Sequence, residues 1–155
     1  MIMPALRPLP IKTKDFPWYK RIYKWIRSNR KWEIVEDWEF TLPNGVKITI
    51  PAGFVFDGAS IPRPLWGVLS PVGILLIPGL PHDYAYRYGF LWATTKAGSR
   101  YKYGNHFGQE SWDELFFEIS EQVNGMKAVS WAAWSMLWAF GCIAWAKNKK
   151  TRCEA

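Results

Sequence analysis

Hydrophobic and polar positions change period three times along this chain of 155 residues, and the changes set out its elements. Residues 1–15 show no period; Pro4, Pro8 and Pro10 argue against regular structure, and an extended arm is expected. Pro17 then suits a helix start. With a turn of 3.6 residues, Trp18, Ile22, Trp25 and Ile26 fall on one face, with Lys20, Arg21, Lys24 and Arg27 around them. From residue 32 the period becomes two. Trp32, Ile34, Trp38 and Phe40 alternate with Glu33, Glu36, Asp37 and Glu39, with an irregularity near Val35. Pro43-Asn44-Gly45 is a turn, and Val46, Ile48 and Ile50 alternate beyond it, so residues 32–50 are expected to form a β-hairpin. Phe54-Val55-Phe56 follows as a third short strand.

Helical spacing returns near residue 80. Ile74 to Leu80 reads as a buried, kinked approach, and Pro81 as the first position of a helix on which His82 and Tyr86 share one face and Asp83 and Arg87 the next. Thr94 to Phe107 is polar and basic and reads as a loop or extended flap. Ser111-Trp112-Asp113-Glu114 has the form of a capping box, followed by an apolar stripe of Trp112, Leu115, Phe116, Ile119 and Val123 and a stop at Asn124-Gly125. Residues 128–146 carry no charge for 19 positions. That length permits a membrane span, but Ala, Ser and Gly dilute it. A packed or membrane-surface helix with Trp131, Trp134, Trp138 and Trp145 on one side is the preferred reading. The expected fold is therefore α+β: an N-terminal antiparallel β-hairpin or small sheet packed on about three helices near 80–90, 111–124 and 127–146. One domain over 32–146 would lie between a basic aromatic arm, 1–31, and a basic tail, 147–155.

Charge sharpens this division. The net +7 resolves into +8 over residues 1–31, −4 over 32–146 and +3 over 147–155. Basic ends around an acidic body favour an anionic partner. The helix carrying Trp18, Lys20, Arg21, Lys24, Trp25 and Arg27 has the composition of one that lies in lipid headgroups, or it docks its Trp face on its own domain. No nucleic-acid module accompanies it, which ranks nucleic acid below a membrane. Cys142 and Cys153 make neither a disulfide framework nor a metal pattern, consistent with a reducing compartment, and no signal peptide is recognisable in residues 1–10.

Candidate chemistry gathers at Pro81–Arg87. A neutral imidazole at His82 can take a proton from water, and Asp83 beside it can hold a cation; alternatively Asp83 only favours the helix start and His82 only packs. Asp113 either favours its own helix N-terminus or reaches across to His82. Asp57, Ser60 and Arg63, in the Asp-Gly-Ala-Ser-Ile-Pro-Arg segment, form the corner between sheet and helices or line a site beside His82.

Gly53-Phe54-Val55-Phe56-Asp57-Gly58-Ala59-Ser60-Ile61-Pro62-Arg63, His82-Asp83-Tyr84-Ala85-Tyr86-Arg87 and Asp113-Glu114-Leu115-Phe116 together resemble an uncharacterised bacteriophage and prophage family, a domain of unknown function. The resemblance covers residues 32–145 and implies a phage origin without an activity. His-Asp-x-x-Tyr-Arg on one helix followed by Asp-Glu on the next is also similar to the two-helix active site of phospholipase A2-type lipases. That resemblance implies His82 as the base, Asp113 as the group that orients it, and Asp83 as a calcium ligand; Asp57 or the backbone near Gly73 could substitute for the loop ligands of those lipases. Ser60, Arg63, Tyr86 and Arg87 would line or brace the site. The flanking cysteines and the Gly-rich calcium loop of those lipases are missing here. A zinc site from His82, Asp83, His106 and Asp113 is possible in composition but lacks ligand spacing. The resulting expectation is a phage-encoded lipid-ester hydrolase at a membrane surface. Its rival is a non-catalytic accessory or virion-associated protein with a buried His/Asp/Arg network. Anionic membrane or other phage proteins are the expected partners, and the host cytoplasm or inner-membrane surface the expected location.

Overall fold

The computed structural model describes residues 3–10, 16–21, 31–56 and 73–150. Seven short strands occur among them: β1 (Leu6–Pro8), β2 (Trp32–Ile34), β3 (Trp38–Thr41), β4 (Lys47–Ile50), β5 (Val55–Phe56), β6 (Leu91–Thr94) and β7 (Arg100–Tyr103). Three long helices accompany them: α1 (Leu76–Tyr88), α2 (Gln109–Asn124) and α3 (Lys127–Lys150). The fold is α+β, as the pattern predicts. The strands make two antiparallel sheets, ordered β1-β2-β5 and β3-β4-β6-β7.

The hairpin expected over residues 32–50 is divided between these sheets. Trp38 faces Ile50 and Thr41 faces Lys47, so β3 and β4 are the hairpin. Gly45 closes its turn at φ +82°, a conformation that glycine adopts without steric cost. β2 pairs instead with β1 and β5. The irregularity at Val35 is thus a change of sheet, which lets the alternation run on while the chain turns. The prolines of the arm do not prevent pairing either. Leu6 lies opposite Ile34 and Pro8 opposite Trp32, on an edge strand, where a missing N–H costs no ladder bond.

Two further expectations are corrected. The segment read as a flap forms the β6–β7 hairpin, with Leu91 opposite Tyr103 and Thr94 opposite Arg100. Its outer strand is exposed and basic, which hid the alternation. Helix α1 begins at Leu76 rather than Pro81, so Pro81 lies inside it. Pro78 falls in the first turn, where no N–H is needed, and Gly79 N–H bonds Leu75 O at 2.9 Å. Pro81 removes one further backbone bond. The helix is nonetheless buried from Leu76 through His82, and that apolar burial outweighs a lost hydrogen bond.

Helix α1 is the centre of the core. Its Leu80, Tyr84 and Ala85 join Ile34, Ile48, Ile50 and Leu91 from the sheets and Trp112 and Ile119 from α2 in one apolar cluster. Helix α2 starts at Gln109 after Gly108, without a side-chain cap, so Ser111 lies inside it and is not a capping residue. Its end is the one expected, with Gly125 in the left-handed conformation. Buried Ser120 and Ser130 bond each other at 2.8 Å and tie α2 to α3.

Helix α3 has a bend of 55° between Lys127–Ala139 and Gly141–Lys150. No single helix among the described residues is long and apolar enough to cross a membrane; the bent pair passes only in combination, by length and composition. Its tryptophans do not share one buried side: Trp145 is partly buried in the main core, whereas Trp131 and Trp138 are exposed.

This difference predicts a contrast between two tryptophans. Trp112 is 1% exposed, and Trp112→Ala should cost about 3–5 kcal/mol, the range for a buried aromatic. Trp138 is 70% exposed, and Trp138→Ala should change stability by no more than about 0.5 kcal/mol. Urea unfolding of the two variants measures both.

Candidate functional site

Helices α1 and α2 cross where each presents a polar group from an otherwise apolar face. His82 stands one position beyond Pro81, and Asp113 one position beyond Trp112. Both are buried, with His82 at 6% exposure and Asp113 at 4%. An isolated carboxylate there would be very costly, so its lone pairs must find donors. Three are present. His82 Nε2 lies 2.9 Å from Asp113 Oδ1, and the Tyr86 hydroxyl donates to the same oxygen at 2.6 Å. Gln109 Nε2 donates to Oδ2 at 3.2 Å. The helical spacing explains the convergence: Tyr86 is one turn beyond His82 on α1, and Gln109 one turn before Asp113 on α2.

With Asp113 ionised, the Nε2 proton lies between imidazole and carboxylate, which leaves Nδ1 as the basic nitrogen. Nδ1 faces Asp83 Oδ1 at 3.8 Å, an ionic distance rather than a hydrogen bond. Burial by itself lowers the imidazole pKa. The hydrogen bond to Asp113 and the carboxylate of Asp83 outweigh it and hold the pKa above the ordinary 6.5. The Tyr86 hydroxyl is pushed upward, first by burial and then by its bond to the Asp113 carboxylate, so it remains a proton donor.

Aromatic rings and a glycine enclose this group. The His82 ring packs on Tyr86 at 4.1 Å and on Phe116 at 5.5 Å between centroids, and Trp145 of α3 meets Tyr86 edge-on at 5.1 Å. Gly141 lets α3 come this close. A Cβ there would stand 2.9 Å from the Tyr86 hydroxyl oxygen and 3.0 Å from Gln109 Nε2.

The structure thus brings together His82, Asp83, Tyr86 and Asp113. Arg87 goes elsewhere: its Nη1 donates to Val55 O at 2.9 Å, and its guanidinium lies over the Phe54 ring, tying α1 to β5. His106 sits between β7 and α2, against Asn105 and Phe107, and is not part of the cluster. Among the described residues no group of three or more His, Cys, Asp or Glu side chains could hold a metal ion, so the set His82, Asp83, His106 and Asp113 does not fit zinc. Asp57, Ser60 and Arg63 lie outside the described residues, as do Lys24, Trp25 and Arg27. Trp18 and Tyr19 are exposed in a helical turn at 18–21, with Lys20 beside them, and Arg21 donates to Phe16 O. Sequence reasoning missed Gln109 and Gly141. Gln109 had a signal in its spacing of four from Asp113, but Gly141 had none.

Comparison with known proteins places these residues in a family. Over 54 residues the chain is 39% identical to an uncharacterized protein, y4jT, of Sinorhizobium fredii (strain NBRC 101917 / NGR234). That match takes in 34% of this chain and only 16% of the relative. No solved structure matches significantly. A family model described as a protein of unknown function (DUF1353) matches residues 32–139, from β2 to the middle of α3, including His82, Tyr86, Gln109 and Asp113, and the chain belongs to that family.

Proposed function

We propose that the protein is a phage-encoded lipid-ester hydrolase acting at a membrane surface, with His82 as its base. The observation that carries this reading is the divided imidazole: Nε2 is fixed by Asp113 at 2.9 Å, while Nδ1 makes no hydrogen bond to the carboxylate beside it. A carboxylate that fixes the tautomer and a basic nitrogen on the other side are what water activation requires. Nδ1 would take a proton from water as the oxygen attacks the ester carbonyl carbon. The tetrahedral intermediate would then expel the alkoxide, which takes that proton back from the imidazolium. Asp113 stabilises the imidazolium in between, and Tyr86 and Gln109 keep Asp113 in place. With His82 so deeply buried, ester access requires a local opening over Nδ1. The described donors beside His82 do not by themselves form a calcium shell, and Asp57, the further ligand expected from sequence, lies outside the described residues. The resemblance of the Gly53–Arg63, His82–Arg87 and Asp113–Phe116 motifs to a phage and prophage family is what suggests the biological setting, and the exposed Trp18, Tyr19 and Lys20 support a membrane surface.

One observation favours a second reading. Both oxygens of the Asp113 carboxylate are satisfied by donors inside the protein, as in a polar cluster that specifies how two helices pack. In that case the protein is a non-catalytic accessory or virion-associated component, and its partners are other phage proteins.

Substitution at His82 separates the two. His82→Asn should lower hydrolysis of phospholipid vesicles and simple esters by roughly 10²–10⁴-fold with the circular dichroism spectrum unchanged. Hydrolysis by the native protein should increase as pH rises through the imidazole pKa, because only the neutral ring accepts a proton. A native protein inactive on both substrate classes, with calcium and with zinc added, would leave the network reading.

The same imidazole makes stability depend on pH whichever reading holds. Its pKa is higher folded than unfolded, so the folded protein binds this proton more tightly. The resulting stabilisation should be fully present below about pH 6.5, the ordinary value, and be lost as pH rises through the folded pKa. Thermal melts across that window should show a falling Tm for the native protein. The His82→Asn variant should lack this step.

A further inference from the structure

Helix α3 has two unlike faces. Its inner face is committed to the fold: Ser130 bonds Ser120, Ala133 packs in a small cluster with Leu75 and Phe116, Gly141 abuts the Asp113 network, and Trp145 meets Tyr86. Its outer face is the reverse. Trp131 and Trp138, two turns apart on one side of the segment before the bend, are 63% and 70% exposed, with Ala132 and Ala139 exposed beside them; beyond the bend Cys142 and Ile143 are exposed as well, Ile143 at 69%. Large apolar side chains grouped on one exposed helix face mark a contact surface rather than ordinary scatter.

Charge identifies what it contacts. Helix α3 carries Lys127 at its start and Lys147, Lys149 and Lys150 at its end, with no carboxylate anywhere and no charge between. We propose that this outer face docks on an anionic lipid bilayer. The indoles of Trp131 and Trp138 and the Ile143 side chain enter the boundary between headgroups and acyl chains, while Lys149 and Lys150 meet the lipid phosphates. The helix lies on the bilayer rather than crossing it, since its inner face is held by α1 and α2. Each lysine near an anionic surface adds an attraction that salt screens. This surface would supply the membrane contact that the hydrolase reading requires, through the helix whose Gly141 touches the catalytic network. It does not depend on that reading.

Cys142 makes the proposal directly testable because it sits on the outer face. Full-length protein in a Cys153→Ser background is labelled at Cys142 with an environment-sensitive nitrobenzoxadiazole dye. It is then mixed with vesicles of ether-linked phosphatidylcholine and phosphatidylglycerol in equal parts, which no esterase can hydrolyse, so binding is read apart from chemistry. The dye should shift to the blue and brighten on these vesicles, less so on phosphatidylcholine alone, and the response should weaken with added salt. A Trp131→Ser/Trp138→Ser variant should bind at least about tenfold more weakly, given the apolar area lost, with its helical circular dichroism unchanged. A Lys149→Glu/Lys150→Glu variant, which touches no core group, should lose the preference for phosphatidylglycerol. Equal binding by native protein and both variants would overturn the proposal, as would no dye response on anionic vesicles. Sedimentation showing that the native protein self-associates without lipid, and that the Trp variant does not, would assign the face to a second copy and also overturn it.

Discussion

A single buried carboxylate constrains how the three helices meet. A buried carboxylate needs donors at both of its oxygens, and those of Asp113 come from fixed positions on α1 and α2. Sliding α1 along α2 by one turn would carry His82 and Tyr86 away from Oδ1 together and leave Asp113 with only the Gln109 amide, from its own helix, as a donor. The apolar contacts around it tolerate such a shift far better, because leucine and phenylalanine surfaces are less directional. Hydrophobic burial therefore drives the helices together, and the carboxylate selects one alignment. Gly141 extends the constraint to α3, since a side chain at that position would push the third helix off the Tyr86 hydroxyl.

The arrangement joins structure to chemistry through one imidazole. The atoms that would orient a catalytic base, a carboxylate and its supporting hydroxyl and amide, are also those that align the helices. A base held in this way is preorganised by the fold itself. The cost is access, because the packing that fixes Nε2 also encloses the ring. Whether Nδ1 meets water is decided by what can move above it, not by the dyad.

Much of this could be read from the residues, for identifiable reasons. Strand pairing across Trp38–Thr41 and Lys47–Ile50 followed from strict alternation around Asn44-Gly45, a local signal. The contact between His82 and Asp113 was within reach because both polar groups interrupt apolar helix faces, and a buried charge needs a partner. The division of residues 32–41 between two sheets was not legible. Alternation reports which side of a strand is buried, and it looks the same whether the neighbouring strand continues or is exchanged. Pro81 misled for a related reason: local preference places proline at a helix start, whereas burial of Leu76–Leu80 against the core extends the helix back past it. The tryptophans of α3 were placed on one side because helical spacing takes no account of the 55° bend between Trp138 and Trp145, which turns Trp145 inward while Trp131 and Trp138 stay exposed. Gly141 left no trace, as close approach is a property of two surfaces and only one is written at that position.

The pairing of Leu6–Pro8 with β2 has a consequence for how the molecule avoids its own copies. A β2–β5 pair alone would present the unsatisfied N–H and C=O groups of β2, an invitation to strand addition by another chain. The short β1 occupies that side: Val35 N–H bonds Ala5 O at 2.9 Å and Leu9 N–H bonds Lys31 O at 2.8 Å. Its own outward rim is broken by Pro4 and Pro8, which lack the N–H that a further strand would seek. The second sheet ends on β7, where Arg100 and Lys102 repel an approaching copy of the same strand. Sheet-to-sheet polymerisation is therefore discouraged at both of these rims, by missing donors on one and by like charge on the other.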